Sequence, residues 1–307
     1  MADKSAITLE RMESFVRVAE RGQVSAVARE LGVGQATVSR HLAELERALG
    51  VSLLSRTTRR ITLTDEGARY LVEARRILSL VEEASEGVAR AGSEAGGMVR
   101  VSCTAALGVR HVCDLVFKFQ DRHPGIHVDL SLSDAAIDLV GEGVDFSIRL
   151  GPVADSGLRR RMIGRSTRML VASRDYVARY GQPETPADLA GHRGVRMMNV
   201  ADGDTLALTD AAGGTAHAVF DGPFRTDHGL AARTALAAGR GIAAAHVWLC
   251  DDLLASGAVV EVLPGHRPYP VPLAMLVVPG RERLRRVRLL IDHLAVGLAA
   301  LPGIEAP

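Results

Sequence analysis

Residues 25–67, SAVARELGVGQATVSRHLAELERALGVSLLSRTTRRITLTDEG, decide the fold. Ser25 is a good N-cap and a candidate DNA contact, and Ala26, Val27, Ala28 and Leu31 give the helix it opens an apolar face before Gly32 and Gly34 stop it. A second helix is predicted from Gln35 to Leu49, where Val38, Leu42, Leu45 and Leu49 recur every three or four residues and face inward. Gln35, Ala36, Thr37, Ser39 and Arg40 are left at its outward leading end. Helix, glycine turn, helix is the layout in which the second helix enters the DNA major groove. A glutamine matches the adenine edge with one donor and one acceptor, threonine and serine serve bases or phosphates, and Arg40, one turn in, reaches phosphate. The run Ser55, Arg56, Thr57, Thr58, Arg59, Arg60 then lies between β-like stretches at 51–54 and 61–63. A two-stranded wing tipped with three arginines and two threonines can lie along the phosphate backbone.

Working outward, Leu9, Met12, Phe15, Val16 and Ala19 form an amphipathic first helix that ends near Gly22 and completes a three-helix core. Thr64 caps a long helix with Asp65 and Glu66 at its positive end. Along it, Gly67, Leu71, Ala74, Leu78, Val81, Ser85 and Val88 recur in steps of four and three, which predicts the seam of a two-helix coiled coil between copies. Paired copies present two reader helices to two half-sites, so palindromic DNA follows. The small residues at 91–97 mark a linker.

The chain has 307 residues, too many for one ordinary core, and a formal net charge of +1. DNA affinity must therefore come from a local basic stripe. No signal-like segment is expected at the N-terminus, and the C-terminal apolar run is interrupted by Asp292 and His293, so a cytoplasmic protein is predicted. Cys103, Cys113 and Cys250 lack CxxC spacing and read as reduced thiols.

After the linker, strands alternate with helices: strands at 98–103, 126–132 and 144–150, helices at 107–122 and 135–140. This predicts a largely parallel sheet with ligands at the carboxyl ends of its strands. A second α/β unit has strands near 169–171, 195–198, 206–209, 216–220 and 259–263, with helices at 175–180 and 227–238. The strand at 271–278 and the last helix, 283–301, have no partner there and should return to the first unit.

The quoted stretch resembles the winged helix-turn-helix of LysR-type transcriptional regulators, and the similarity continues along the chain. Gln35, Val38, Ser39 and Arg40 match that pattern; Ala36 stands where Pro or Ser is usual, which touches operator preference more than DNA binding. The resemblance implies an N-terminal winged helix-turn-helix (1–63), a dimerisation linker helix (64–92), a short linker (93–97) and an α/β effector domain (98–307). It further implies two periplasmic-binding-protein-like subdomains, about 98–167 with 269–307 and about 168–268, joined by two crossovers. A small-molecule effector, an organic acid or aromatic compound, then sits between them, and the chain works as a dimer or tetramer.

The strand ends and helix starts lining such a cleft are Ser102, Cys103, Thr104 and Ala105; Arg149; Asn199, Val200 and Ala201; and Thr226, Asp227 and His228. Ala106 and Ala135 stand where members of the family often carry a hydroxyl, and His246 where Pro is common. His246 either meets an acidic or phenolic ligand or is bonded within the fold. The Gly-rich stretch 239–244 imitates a dinucleotide fingerprint but follows a helix, so a nicotinamide enzyme is the weaker alternative, beside a solute-binding protein without a regulatory role. His111 and Cys113 make a poor metal pair, and no cofactor is expected.

Overall fold

The computed structural model describes residues 6–56, 61–88, 95–152, 157–198 and 205–307. The chain packs as two units: Met1–Ser93 with Ile137–Asp145 and Gly280–Arg285, and the remainder.

In the first unit, α1 (Leu9–Arg21), α2 (Val24–Glu30) and α3 (Gln35–Leu49) precede a hairpin of β1 (Leu54–Arg56) and β2 (Ile61–Leu63) and the long α4 (Asp65–Val88). Thr8 caps α1 through its side chain, and Gly22 and Gly50, both at positive φ, end α1 and α3. The core joins Met12, Phe15, Val16 and Val18 to Val27, Ala28, Val38, Leu42, Leu45, Leu53, Leu71 and Ala74. Ser25 is not the N-cap expected of it: α2 begins at Val24, with Gln23 as a cap that makes no side-chain bond. Val24 packs against the core, which draws the helix start forward and leaves Ser25 half-buried inside it.

The hairpin is antiparallel, with Ser55 opposite Thr62. Glu46 on α3 accepts the backbone N–H groups of Leu53 and Leu54 at 2.8 and 3.1 Å, fixing the strand to the helix that precedes it. Thr64 caps α4 through Gly67 N–H (2.9 Å) and donates to the Ser52 carbonyl (2.8 Å).

The coiled-coil seam drawn from the sequence needs correcting in its first half. Gly67, Leu71 and Ala74 are buried by their own chain, and Leu78 packs on the same core. Among the described residues, the large apolar side chains that α4 leaves exposed are Ile77, Leu80 and Val81. Packing a three-helix core takes the early residues, and the repeat of four and three does not say which neighbour covers it. Farther along α4, Arg75 pairs with Glu20 at 3.1 Å and donates to the Gly141 carbonyl, while Arg281 meets Glu82 at 3.4 Å and the buried Asp145 at 3.1 Å.

The second unit opens with β3 (Gly97–Cys103), α5 (Ala105–Leu107), a π-helical turn (Gly108–Val112) and α6 (Cys113–Gln120), followed by β4 (Ile126–Leu132), β5 (Phe146–Leu150) and β6 (Arg159–Ser166). Then come β7 (Arg168–Ser173), α7 (Arg174–Tyr180), β8 (Gly194–Met197), β9 (Thr205–Asp210), β10 (Thr215–Val219), β11 (Phe224–Thr226) and α8 (Gly229–Ala237). The remaining elements are β12 (Ile242–His246), α9 (Val247–Ala255), β13 (Val259–Glu261), β14 (His266–Pro268), β15 (Val271–Val277), α10 (Arg285–Ala299) and β16 (Ile304–Glu305).

Three sheets result, ordered β16-β6-β15-β5-β3-β4, β11-β8-β12-β7-β13 and β10-β9-β14. The return of β15 to the first sheet, beside β5, is as expected. The two larger sheets are mixed and the three-stranded one is antiparallel, not largely parallel as expected: β3 is parallel to β4 and β5, β8 to β11 and β12, and the other pairings among the described residues are antiparallel. The cause is connectivity. β6 and β7 are separated by Thr167 alone, and β15 runs back through the first sheet, so these strands enter against the βαβ direction.

The helix expected at 135–140 is absent, replaced by bends and turns. Ser133 and Asp138 accept the N–H groups of Ala135 (3.2 Å) and Val140 (3.1 Å) two residues on, diverting the backbone from helical bonding.

Gly67 has no room for a side chain, because a Cβ there would lie 1.9 Å from the Leu53 carbonyl oxygen. Gly67→Ala is expected to destabilise the first unit by roughly 1–3 kcal/mol, as overpacking does. Thermal unfolding followed by circular dichroism checks this, and an unchanged Tm contradicts the close approach.

Candidate nucleic-acid interface and ligand cleft

α3 holds Val38, Leu42 and Leu45 in the core and turns its first turn and a half outward. Gln35, Ala36 and Arg40 are exposed, and Thr37 and Ser39 are half-buried. Gly34 enters the helix in extended conformation, and its carbonyl accepts Thr37 and Val38 N–H at 2.9 and 3.3 Å, so the reading edge starts abruptly after the glycine turn. The wing backbone up to Arg56 is in place at β1. Thr57, Thr58, Arg59 and Arg60 lie outside the described residues, as do Asn199, Val200 and Ala201.

In the second unit the structure brings Ser102, Thr104, Ala105 and Arg149 together. Arg149 donates to Ser102 Oγ at 2.8 Å and to the Ser133 carbonyl at 2.5 Å. Ala105 N–H, expected to be open to an anion, is taken by the Asp134 carboxylate at 3.0 Å. One buried hydroxyl here, Ser147 Oγ, meets no hydrogen-bond partner. Thr226, Asp227 and His228 lead into α8, with Thr226 Oγ1 accepting His228 N–H at 3.1 Å. The two walls touch where Ala106 meets Gly229, since a Cβ on that glycine would fall 2.9 Å from the Ala106 Cβ. The small side chain of Ala106 thus fits a contact with little spare room.

His246 is engaged within the fold. Its Nδ1 lies 2.7 Å from Ser166 Oγ, which also accepts Trp248 Nε1–H at 2.9 Å, and the two rings stack 5.3 Å apart. Burial, reinforced by the Arg168 charge, pushes the imidazole pKa down to about 3, so it is neutral at neutral pH and no cation for an acidic ligand. Cys103 and Cys250 are buried thiols pushed up to about 12 and about 11 by that burial, which leaves little nucleophilic thiolate near pH 7. Gly239, at positive φ, ends α8, and Arg240 N–H returns to the Ala235 carbonyl at 3.0 Å before β12 begins. This is a helix C-cap feeding a strand, so the dinucleotide reading has no strand-to-helix turn behind it. Among the described residues no group of three or more His, Cys, Asp or Glu could hold a metal, and no helix is long and apolar enough to cross a membrane.

Sequence reasoning missed a clasp between the π-helical turn and the helices of the opposing wall. Arg110 reaches Asp251 at 2.8 Å and Asp252 at 2.9 Å, Arg233 reaches Asp252 at 2.7 Å, and His111 Nε2 lies 2.9 Å from the Trp248 carbonyl oxygen. Burial alone would raise Asp252, but Arg233 and Arg110 hold its carboxyl below the usual carboxylate range. The adjacent acids were visible in the sequence; their partner some 140 positions away was not.

A helix-turn-helix with an exposed polar leading edge, followed by an α/β domain of two lobes, is the architecture of a DNA-binding protein with an appended regulatory domain. The family described as bacterial regulatory helix-turn-helix protein, lysR family, matches residues 9–68, and the LysR substrate binding domain matches residues 92–298. The chain belongs to this family and is a LysR-type DNA-binding transcriptional regulator with an effector-binding domain. It is 34% identical over 254 residues to the HTH-type transcriptional regulator CrgA of Neisseria meningitidis serogroup C (strain 8013), covering 83% of this chain and 84% of that protein. It is 30% identical over 286 residues to the HTH-type transcriptional activator AaeR of Escherichia coli (strain K12), covering 93% and 92%. The full-length structure of the Vibrio cholerae virulence activator AphB, a member of the LTTR protein family, superposes with a TM-score of 0.60 at 28% identity over 95% of this chain and 99% of that one.

Because His246 is neutral in the fold but takes a proton near pH 6.5 when unfolded, its contribution is present above that value and is lost as pH falls toward about 3. Tm measured between pH 7 and pH 4 is expected to fall less steeply in His246→Gln than in the native chain. Parallel slopes would show that the ring is not shielded.

Proposed function

We propose that α3 reads base edges and adjacent phosphates through Gln35, Ala36, Thr37, Ser39 and Arg40, while Arg56 and residues 57–60 lie along the backbone. The observation that carries this reading is the exposure of the leading edge of α3 opposite a fully buried Val38, Leu42 and Leu45 face. Two copies pair through α4, for which the exposed Ile77, Leu80 and Val81 supply an apolar stripe, and bind a palindromic promoter site as a dimer or tetramer. The effector is a small organic acid or aromatic compound, held between Ser102, Thr104 and Arg149 on one wall and Thr226 to His228 on the other. The unpartnered hydroxyl of Ser147 supports a polar ligand. The protein acts in the cytoplasm and is not an enzyme. Residues 1–63 form its DNA-binding domain, 64–92 its dimerisation helix and 98–307 its effector domain.

Gel-shift titrations against the protein's own upstream region at several salt concentrations test this. Arg56→Ala is expected to reduce the log–log salt slope by ~0.9 per half-site with base preference intact. Gln35→Ala should instead change which sequences are tolerated, at a cost of about 1–3 kcal/mol for a lost bidentate contact. A native protein that shows no sequence-selective complex at low salt would sink the reading. In the cleft, thermal-shift screening of small carboxylates and phenols should find a stabilising compound whose effect is lost in Arg149→Gln; equal shifts in both proteins would place binding elsewhere.

A further inference from the structure

Two polar pairs stand in register on the face where α1 meets α3. Ser14, fully buried on α1, places its Oγ 2.8 Å from His41 Nδ1 on α3. Three residues earlier on α1 and three later on α3, Arg11 and Glu44 form an ion pair. One helical turn separates the pairs on each helix, so they run antiparallel along the contact. The other side chains of the same core, Phe15, Val18, Val38, Leu42 and Leu45, are apolar and buried. Such a surface attracts without direction, so it resists sliding or rotation of α3 only weakly. A slip of one residue would turn the helix by about 100° and shift it by about 1.5 Å, carrying Gln35 and Arg40 off their targets. At another register the Ser14 hydroxyl would lose His41 and be left either unpaired, which is costly in the core, or bent back onto a carbonyl of its own helix.

We infer that Ser14 and His41 are positioning residues for sequence recognition: their buried bond, backed by the Arg11–Glu44 pair, sets the rotation and register at which α3 presents its reading edge. His41 follows Arg40 directly and lies one turn beyond Thr37, so the lock sits at the end of that edge. Supporting hydrogen bonds of this kind hold a binding constellation within the tolerance its contacts need. The inference rests on α3 being the base-reading helix.

The test uses the full chain, a duplex that the native protein selects from a random-sequence pool, and a scrambled duplex of equal length. In Ser14→Ala the affinity ratio between the two duplexes is expected to fall about tenfold, the worth of one buried hydrogen bond, with the log–log salt slope unchanged because the phosphate contacts remain. Ser14→Ala lowers Tm as well, which a merely structural serine would also do. The deciding variant is Ser14→Ala with His41→Leu, where removing both polar partners restores Tm. If the two residues set the register, the ratio stays low in this double variant; if it returns to the native value, the inference is overturned. Gln35→Ala separates the two levels of the argument. A ratio lowered by Gln35→Ala but untouched in the double variant leaves α3 as the reader and removes the lock. A native protein that selects no duplex removes the reading of α3 and this inference with it.

Discussion

The first unit depends on one constraint: α3 has to be wet along its leading edge and dry along the opposite one within four turns. Val38, Leu42 and Leu45 secure the dry side, and Glu46 then uses the same helix to hold two N–H groups of the strand leading into the hairpin. The start of the hairpin is thus placed by a residue of α3 itself, and Thr64, bonded to the Ser52 carbonyl, carries the placement on to α4. Gly67 completes the chain of contacts, because only a residue without Cβ lets α4 pass so close to the Leu53 carbonyl. α3, β1 and α4 are therefore joined by one chain of hydrogen bonds through Glu46 and Thr64.

The second unit follows from a different constraint, the reversal of strand direction where β6 passes to β7 and where β15 comes back. Each lobe keeps a parallel portion, whose strand ends deliver Ser102 and Cys103 on one side and Thr226 on the other. The antiparallel strands carry the connections between lobes. Thr167, between β6 and β7, is held from two directions: its N–H goes to the Gly303 carbonyl at 2.7 Å, and its own carbonyl accepts Val247 N–H at 3.2 Å. Arg168 adds a bond to the Tyr269 carbonyl at 2.9 Å, tying one crossover to the other.

Periodicity made most of these elements legible. α3 spans the predicted residues, β4 does as well, and the return of β15 followed from its lack of a partner in the second lobe. The failures share a physical cause. A repeat of four and three says that a face is buried but not by whom, so Leu71 and Ala74 were given to a second copy when their own core takes them. Ser133 and Asp138 turned a helical composition into a loop by local side-chain bonding, a competition that a hydrophobic pattern does not register. β6, with Arg159, Arg160 and Arg161 at its start, was missed because an exposed basic stretch does not alternate. For the candidate sites, strand order singled out Ser102 and Arg149 as strand ends, but their bond, the carboxylate already on Ala105 N–H and the clasp from Arg110 to Asp251 and Asp252 depend on residues distant in sequence.

Both units use the same polar device. In each, a fully buried serine meets a histidine Nδ1: Ser14 and His41 at 2.8 Å, Ser166 and His246 at 2.7 Å. A buried hydroxyl contributes little net stability when paired and costs a good deal when left alone, so its main effect is to disfavour every arrangement except the one that pairs it. At Ser166 the oxygen also takes the Trp248 indole N–H, so β6, the end of β12 and the start of α9 agree on a single atom beside the crossover. Apolar packing holds each unit together in both cases. The serine adds a directional preference that apolar packing lacks, and it stands beside α3 in one unit and beside the β6–β7 junction of the two lobes in the other.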